Sequence, residues 1–264
     1  MNGNGKTGNT LPVHDSPVLF IDRVCKTYDK NGSSLAVLQD VSFSATVGEF
    51  VCLTGPSGCG KSTLLKIIAG FTEASSGIVS IRGHAVKAPG RDRAMVFQED
   101  ALFPWLTVEE NTAFGLKAMG LPKNEARDRV FEFLKLVGLS DFAGFLPREI
   151  SGGMRQRVAL ARVLVMEPPV LLMDEPFASL DAHSRREMGS LLVSLWEKLS
   201  QAIIFVTHDV SEAVTLADRV LVMEGLPGSI AFDMAVGLPR PRDPAGSEVN
   251  VLCWHLIGKI FKKP

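Results

Sequence analysis

The sequence predicts an α/β fold: a mainly parallel sheet, an N-terminal antiparallel β part and a helical insertion. Three observations carry this reading. Short apolar runs such as "EFVCLTG" (49–55), "VLLMDE" (170–175) and "AIIFVTH" (202–208) alternate with helical stretches. Such runs suit strands buried on both faces, as in a parallel sheet covered by helices. The region from about 99 to 165 is helical in character and interrupts the strands. Ahead of it, the strand-like "VLFIDRV" (18–24) runs towards a turn-rich "YDKNGSS" (28–34), in which Asn31-Gly32 is a hairpin signal.

The elements follow in order. Residues 1–17 are polar and rich in Gly, Asn and Thr, and are expected to be a disordered tail. They lack the apolar stretch of a signal peptide. The apolar run at 49–55 ends in glycine. "GIVSIRG" (77–83) and "AMVFQ" (94–98) read as two further strands. Thr107 and Glu110 then form a plausible capping box. In "EARDRVFEFLKLVG" (125–138), Ala126, Val130, Phe133, Leu134 and Val137 share one helical face, and Gly138 is placed to end the helix. A glycine-led helix opens at Ser151. After the strand at 170–175 come a helix at about 184–199, the strand at 202–208, a short helix and a last core strand, "RVLVMEG" (219–225). Residues 226–264 form a short extension. In it, "LPRPRDP" (238–244) must be extended or loop, and "VLCWHLIGKIFKKP" (251–264) can form an amphipathic helix with a basic end.

Composition narrows the function. The 264 residues carry a formal net charge of -1, which excludes the basic balance of a nucleic-acid binder. Cys25, Cys52, Cys59 and Cys253 are scattered without a C-x-x-C pair, against a zinc site or a disulfide framework. No stretch reaches the roughly 18 apolar residues of a membrane span. The chain is expected to be soluble and to act at a membrane only through a partner.

Four motifs carry chemistry. "GPSGCGKST" (55–63) matches G-x-x-x-x-G-K-[ST], between an apolar strand and a helix, the setting this phosphate loop needs. Gly55, Gly58 and Gly60 let the loop amides turn inward, and those amides with the helix dipole hold phosphates. Pro56, Ser57, Cys59 and Thr63 complete the cradle, and Cys59 reads as a small filler or a reactive thiol. Lys61 reaches the terminal phosphates and the Ser62 hydroxyl ligates Mg²⁺. The loop marks a P-loop nucleotide-binding core. "VLLMDEP" delivers Asp174 and Glu175 at the carboxyl end of a strand, where open α/β sheets bind ligands. Asp174 is placed for the Mg²⁺ shell and Glu175 is a candidate general base for water. His208 leaves the sheet on the same edge, which suits a role beside the γ-phosphate. Tyr28, the single tyrosine, either stacks on a base or packs. Last, "ISGGMRQRVALAR" (150–162) starts a helix with two glycines, which are poor helix formers but allow close backbone approach.

Together these motifs resemble the ATP-binding subunit of an ATP-binding cassette (ABC) transporter, over about residues 18–225. The resemblance implies that Ser151, Gly152 and Gly153 face ATP held by a second subunit in a head-to-tail dimer, here expected to be a homodimer. It implies that Tyr28 stacks on adenine and that Gln98 joins Mg²⁺ and links to the helical insertion. Ser179, Leu180 and Asp181 in "FASLDA" match the loop that couples the two sites. Glu175 matches the catalytic base and His208 the switch histidine. The signature departs from the family's L-S-G-G-Q: Met154 removes a polar side chain, while the serine and the amides remain.

"SGGMRQRVALAR", "FQEDALFPWLTVEENTAFGL" and "LPRPRDP" resemble the subgroup that imports nitrate, sulfonates, taurine and related solutes. The partners implied are integral permease subunits and, indirectly, a solute-binding protein, with this chain peripheral on the cytoplasmic face of the cell membrane. Leu102, Phe103, Trp105 and Leu106 are candidates for the permease contact, or ordinary core. The alternative is an ABC ATPase of a soluble assembly, but no long coiled coil and no second cassette is seen.

Overall fold

The structure is a computed structural model that describes residues 17–30, 33–98 and 100–260. Of the expected tail at 1–17, residues 1–16 lie outside the described residues, as does the turn pair Asn31-Gly32. The strands that flank that pair, β1 (Leu19–Lys30) and β2 (Ser33–Ala45), are antiparallel, with Lys30 opposite Ser33. β4 (Ser76–Ile81) pairs on the other side of β1, and β5 (His84–Ala85) closes this antiparallel sheet.

The second sheet is built from β3 (Phe50–Thr54), β6 (Arg93–Val96), β7 (Val170–Asp174), β8 (Ala202–Val206), β9 (Arg219–Glu224) and β10 (Ser229–Ala235). Its order is β10-β9-β3-β8-β7-β6. All neighbours are parallel except β10, which adds antiparallel to β9 at one edge. The apolar runs therefore became the central parallel strands. Three strands were not legible as such in the sequence: β2, the two-residue β5 and β10.

Side-chain alternation sorts the core into two layers. Phe50 and Cys52 of β3, Leu171 and Met173 of β7, and Ile203 and Phe205 of β8 enter one layer. Val51 and Leu53, Val170 and Leu172, and Ala202 and Ile204 enter the other. Period two along each strand forces this division. The second layer also holds the inner face of the antiparallel sheet and α1 (Lys61–Ala69). The first layer holds α2 (Val108–Met119), α3 (Lys123–Leu136), α4 (Gly152–Leu164), α5 (Ala182–Leu199), α6 (Val210–Leu216) and α7 (Ser247–Ile260).

Local signals set the helix ends. Thr107 Oγ1 accepts from Glu110 N–H at 3.2 Å, and Glu110 Oε2 accepts from Thr107 N–H at 2.9 Å, so the capping box is formed. Gly138 follows α3 with φ +70°, a conformation glycine adopts without strain. Residues 238–244 have no regular structure and form a strap over α6. Arg242 donates to the carbonyls of Val214 and Ala217 at the end of α6, and to those of Val236 and Leu238 in the strap. Arg240 donates to Asp218 and to Leu216 O, and its guanidinium lies 4.5 Å from the centre of the Trp196 ring. Arg242 sits beside the Arg240 cation in a half-buried place, and burial first, then that cation, lower its pKa to about 10. Among the described residues, no helix is long and apolar enough to cross a membrane.

Candidate active site

The loop between β3 and α1 is shaped by its glycines. Gly55 has φ +142°, and a Cβ there would overlap the carbonyl of Met223 on β9. Gly60 has φ +94° and caps α1, with Leu38 and Val37 O crowding the space a Cβ would need. Gly58 has φ +84° but open space around it, so only the backbone angle requires glycine there. Lys61 is 7% exposed, and its Nζ donates to Gly55 O at 2.8 Å and Pro56 O at 2.9 Å. The ammonium is thus drawn into the loop that it follows. Cys59 is buried at 3% exposure against the apolar layer, which favours the filler reading.

The first residue pair joins the start of α1, just after this loop, to the end of β7, two strands away from β3 in the sheet. Ser62 Oγ donates to Asp174 Oδ1 at 3.0 Å. Burial raises the Asp174 pKa from its ordinary value; the Ser62 hydrogen bond opposes this, the Glu175 charge adds to it, and the Lys66 and Lys61 ammoniums oppose it. A hydroxyl and a half-desolvated carboxylate side by side are hard oxygen donors, the kind a Mg²⁺ ion takes when phosphates and water complete its shell. Two protein oxygens fit that role, and among the described residues no set of three His, Cys, Asp or Glu forms a self-sufficient metal cage.

The second pair lies one residue further on. Glu175 Oε2 is 3.1 Å from His208 Nδ1. Glu175 has φ +46°, rare for a residue with a Cβ, and its N–H donates to Val206 O at 3.0 Å. Local backbone strain of this kind costs about 1–3 kcal/mol and persists where surrounding contacts impose it. The contacts are visible: Phe177, 2% exposed, packs on Phe205 with ring centres 5.6 Å apart. Pro176 O accepts from the buried Gln156 side chain of α4. Gln156 lies within the stretch that led the sequence to a signature helix, yet its own burial was not legible there.

The other predicted residues fall apart from this centre or at its margin. Gln98 is exposed and lies two residues beyond β6 rather than ending it. Tyr28 is 40% exposed, with Lys26 Nζ 4.7 Å from its ring centre. Asp181 caps α5, accepting from His183 N–H at 2.9 Å and Ser184 N–H at 3.0 Å. Ser151 caps α4, its hydroxyl accepting from Met154 N–H at 3.3 Å. Ser151 and Gly152 are exposed. Among the described residues, no hydrogen bond joins Ser151, Gly152 or Gly153 to the loop at 55–62 of the same chain.

The segment between Gln98 and α2 is held from inside. Buried Asn111 accepts from Phe103 N–H at 2.9 Å and donates towards Phe103 O, Leu106 O and Thr107 O at 2.9 to 3.1 Å. Arg155 of α4 pairs with Asp100 at 2.9 Å. Leu102 packs on the core, whereas Trp105 is 72% exposed beside Phe103, ring centres 5.7 Å apart.

Comparison with known proteins decides the family. A family model described as "ABC transporter" matches residues 38–178. The nitrate import ATP-binding protein of Synechocystis sp. is 48% identical over 210 residues, covering 80% of this chain and 79% of that protein. The chain belongs to the ABC transporter family. A second ABC relative, the taurine import ATP-binding protein of Rhizobium johnstonii, is 49% identical over 226 residues, covering 85% and 84% of the two chains. Among solved ABC structures, a dimeric ATP-binding cassette in a post-hydrolysis state, bound to ADP and Pi, superposes with TM-score 0.73 at 32% identity, covering 84% of this chain and all of that one. The chain is an ABC-type ATP hydrolase, with the α/β cassette fold that its sequence predicts.

Proposed function

We propose that this ATPase energises a membrane importer of nitrate, a sulfonate, taurine or a similar small solute, as one of two ATP-binding subunits beneath a permease. The names of its relatives support the solute class. One observation supports the two-subunit arrangement above others. Lys61, Ser62, Asp174, Glu175 and His208 converge on one sheet edge, while, among the described residues, Ser151, Gly152 and Gly153 at the start of α4 make no hydrogen bond to their own phosphate loop. A half-site at each place, completed by a second copy, accounts for both.

In the proposed cycle the 55–63 loop binds ATP phosphates through its amides, and Lys61 exchanges its two carbonyl partners for phosphate oxygens. Tyr28 keeps exposed ring area on which adenine can stack. Ser62, Asp174 and Gln98 would hold Mg²⁺, which supplies positive charge to the phosphates when bound. Ser151 and the amides of Gly152 and Gly153 clamp the γ-phosphate bound by the partner copy. Glu175 orients water and takes its proton, and His208 positions Glu175 and the γ-phosphate together. Hydrolysis removes the bridging phosphate and the dimer reopens. The exposed Trp105, beside half-buried Phe103, is the proposed permease contact; the chain would then sit at the cytoplasmic face of the membrane, with a solute-binding protein acting from the other side.

The test is the ATP-dependent dimer. Glu175→Gln should bind ATP, run as a dimer by size exclusion, and hydrolyse at least a hundredfold more slowly, the usual weight of a general base being about 10²–10⁴. Adding Ser151→Arg should return it to monomer. A dimer untouched by Ser151→Arg would sink the trans assignment, and near-normal turnover in Glu175→Gln would sink the base. Purifying the tagged chain from native membranes in mild detergent should bring down a multi-helix permease; purely soluble partners would leave the ATPase standing without the import role.

A further inference from the structure

We infer that Arg185 is a positioning residue for hydrolysis: its guanidinium ties the Ser179–Asp181 loop to the turn that carries His208. The inference rests on the two-site reading above. Arg185 lies in the first turn of α5, just past Asp181. Its Nη2 donates to Leu180 O at 3.0 Å. Its Nη1 lies 3.5 Å from Asp209 Oδ2 and its Nε 3.6 Å from Glu212 Oε1. Among the described residues, these are the only ion pairs from α5 to Asp209 or α6.

What Arg185 grips is itself bound to His208 on both sides. Thr207 Oγ1 donates to Glu212 Oε2 at 2.6 Å and accepts from Asp209 N–H at 3.0 Å. Asp209 Oδ1 caps α6 through Ser211 N–H at 2.8 Å and Glu212 N–H at 3.2 Å. Asp209 therefore spends one oxygen on the helix and the other on Arg185. The opposite arm is equally short. Leu180 N–H donates to Phe177 O at 3.1 Å, and Ala178 N–H donates to Glu175 O at 3.2 Å. With the Glu175–His208 contact at 3.1 Å, the ring closes: Glu175, its loop to Leu180, Arg185, Asp209 and Glu212, Thr207, His208, and Glu175 again.

A guanidinium suits this place because its planar fork serves several acceptors at once and holds its charge. The Arg185 side chain is 30% exposed and that of Glu212 14%, so solvent screens the pair incompletely. Burial raises the Glu212 pKa, with the Thr207 hydrogen bond and then the Arg185 charge among the groups that oppose it. On one flank the fork borders a cavity of about 770 Å³ between α5, α6 and the strap. The fork is therefore free to shift on that side when the Ser179–Asp181 loop meets a partner. A displacement of the loop is passed to the Thr207–Asp209 turn, and so to the angle His208 makes with Glu175.

The experiment compares Arg185→Met with the parent chain in three readings. ATP affinity should stay within about twofold. The ATP-dependent dimer should still form in the Glu175→Gln background. The kcat should fall roughly ten- to a hundredfold, the scale of a misaligned catalytic group. Thr207→Val should give a similar fall, and the double variant should fall no further than the more impaired single variant, because both cut one ring. An Arg185→Met kcat within twofold of normal, with the dimer intact, overturns the inference and leaves the two-site reading standing. So do effects that multiply in the double variant, or loss of the dimer in Arg185→Met alone. If Arg185→Met is insoluble, Arg185→Lys and Glu212→Gln carry the same comparison, and a normal kcat in both overturns it. Failure of the two-site reading has a different mark: no dimer in Glu175→Gln with Arg185 unchanged.

Discussion

Replacing Asn111 with alanine should loosen the segment that carries Trp105. Asn111 is fully buried, and its side chain is the hub for Phe103 N–H and for the carbonyls of Phe103, Leu106 and Thr107. Its amide has two N–H donors, so two of the three carbonyls are served well at any moment, and the carbonyl oxygen serves Phe103. That makes about three effective hydrogen bonds, each worth about 1 kcal/mol net. Alanine strands those backbone groups, so the expected loss is about 3 kcal/mol by urea unfolding. Asn111→Asp separates polarity from shape. Its carboxylate still accepts from Phe103 but faces three carbonyl oxygens without a donor, so its folded pKa must lie above the unfolded value. A carboxyl raised in this way binds its proton more tightly when folded, so that variant should gain stability as pH falls, whereas the alanine variant should show no such relative gain. An Asn111→Ala loss below about 1 kcal/mol would refute the hub, because at least two of these three hydrogen bonds would then have to be worth nothing.

Three further outcomes are expected. Gly55→Ala should abolish tight ATP binding and destabilise the fold by several kcal/mol, since its Cβ meets the β9 backbone; equilibrium unfolding and nucleotide titration read both. The Asp181 carboxylate, held ionised by the Ser184 side chain and the start of α5, has its pKa lowered to about 2. A lowered carboxyl contributes stability above its unfolded pKa of roughly 4, lost as pH drops towards 2, and carbon NMR titration should place its midpoint near the lower figure. Gln156→Met should keep the volume but remove the donor to Pro176 O, costing about 1–3 kcal/mol and lowering turnover more than ATP affinity.

The sequence was most legible where one local rule acts alone. The central strands were readable because burial on both faces leaves only apolar residues, and the 55–63 loop because its glycines answer to backbone angle and close approach. The Thr107 box and the Gly138 stop were readable for the same reason. β10 was not: half-buried Ile230, Phe232 and Met234 alternate with exposed Ala231, Asp233 and Ala235, but alanine and aspartate are poor strand formers, so the segment's propensity is weak. β2 was hidden by register shifts in its pairing with β1, which put an extra β2 residue between Val41 and Leu38 and another between Leu38 and Ala36 and so break its period. At the site, residue types and edge were legible, but the partners were not. That Ser62 reaches Asp174, or Arg185 reaches Glu212, depends on elements brought together from distant parts of the chain. Gln98 drew a role only from the family resemblance, and Tyr28 was left open between stacking and packing until then; among the described residues, neither side chain makes a hydrogen bond to the centre.

The strap over α6 has a mechanical consequence. Arg240 and Arg242 bind it to Leu216, Asp218, Val214 and Ala217, so it is riveted to the cassette rather than hung from it. A load applied at α7 would be delivered through those rivets to the end of α6 and the start of β9. Anything fused beyond α7 would therefore tug on the nucleotide-hydrolysing body itself, and the stiffness of that joint would be set by two guanidinium groups.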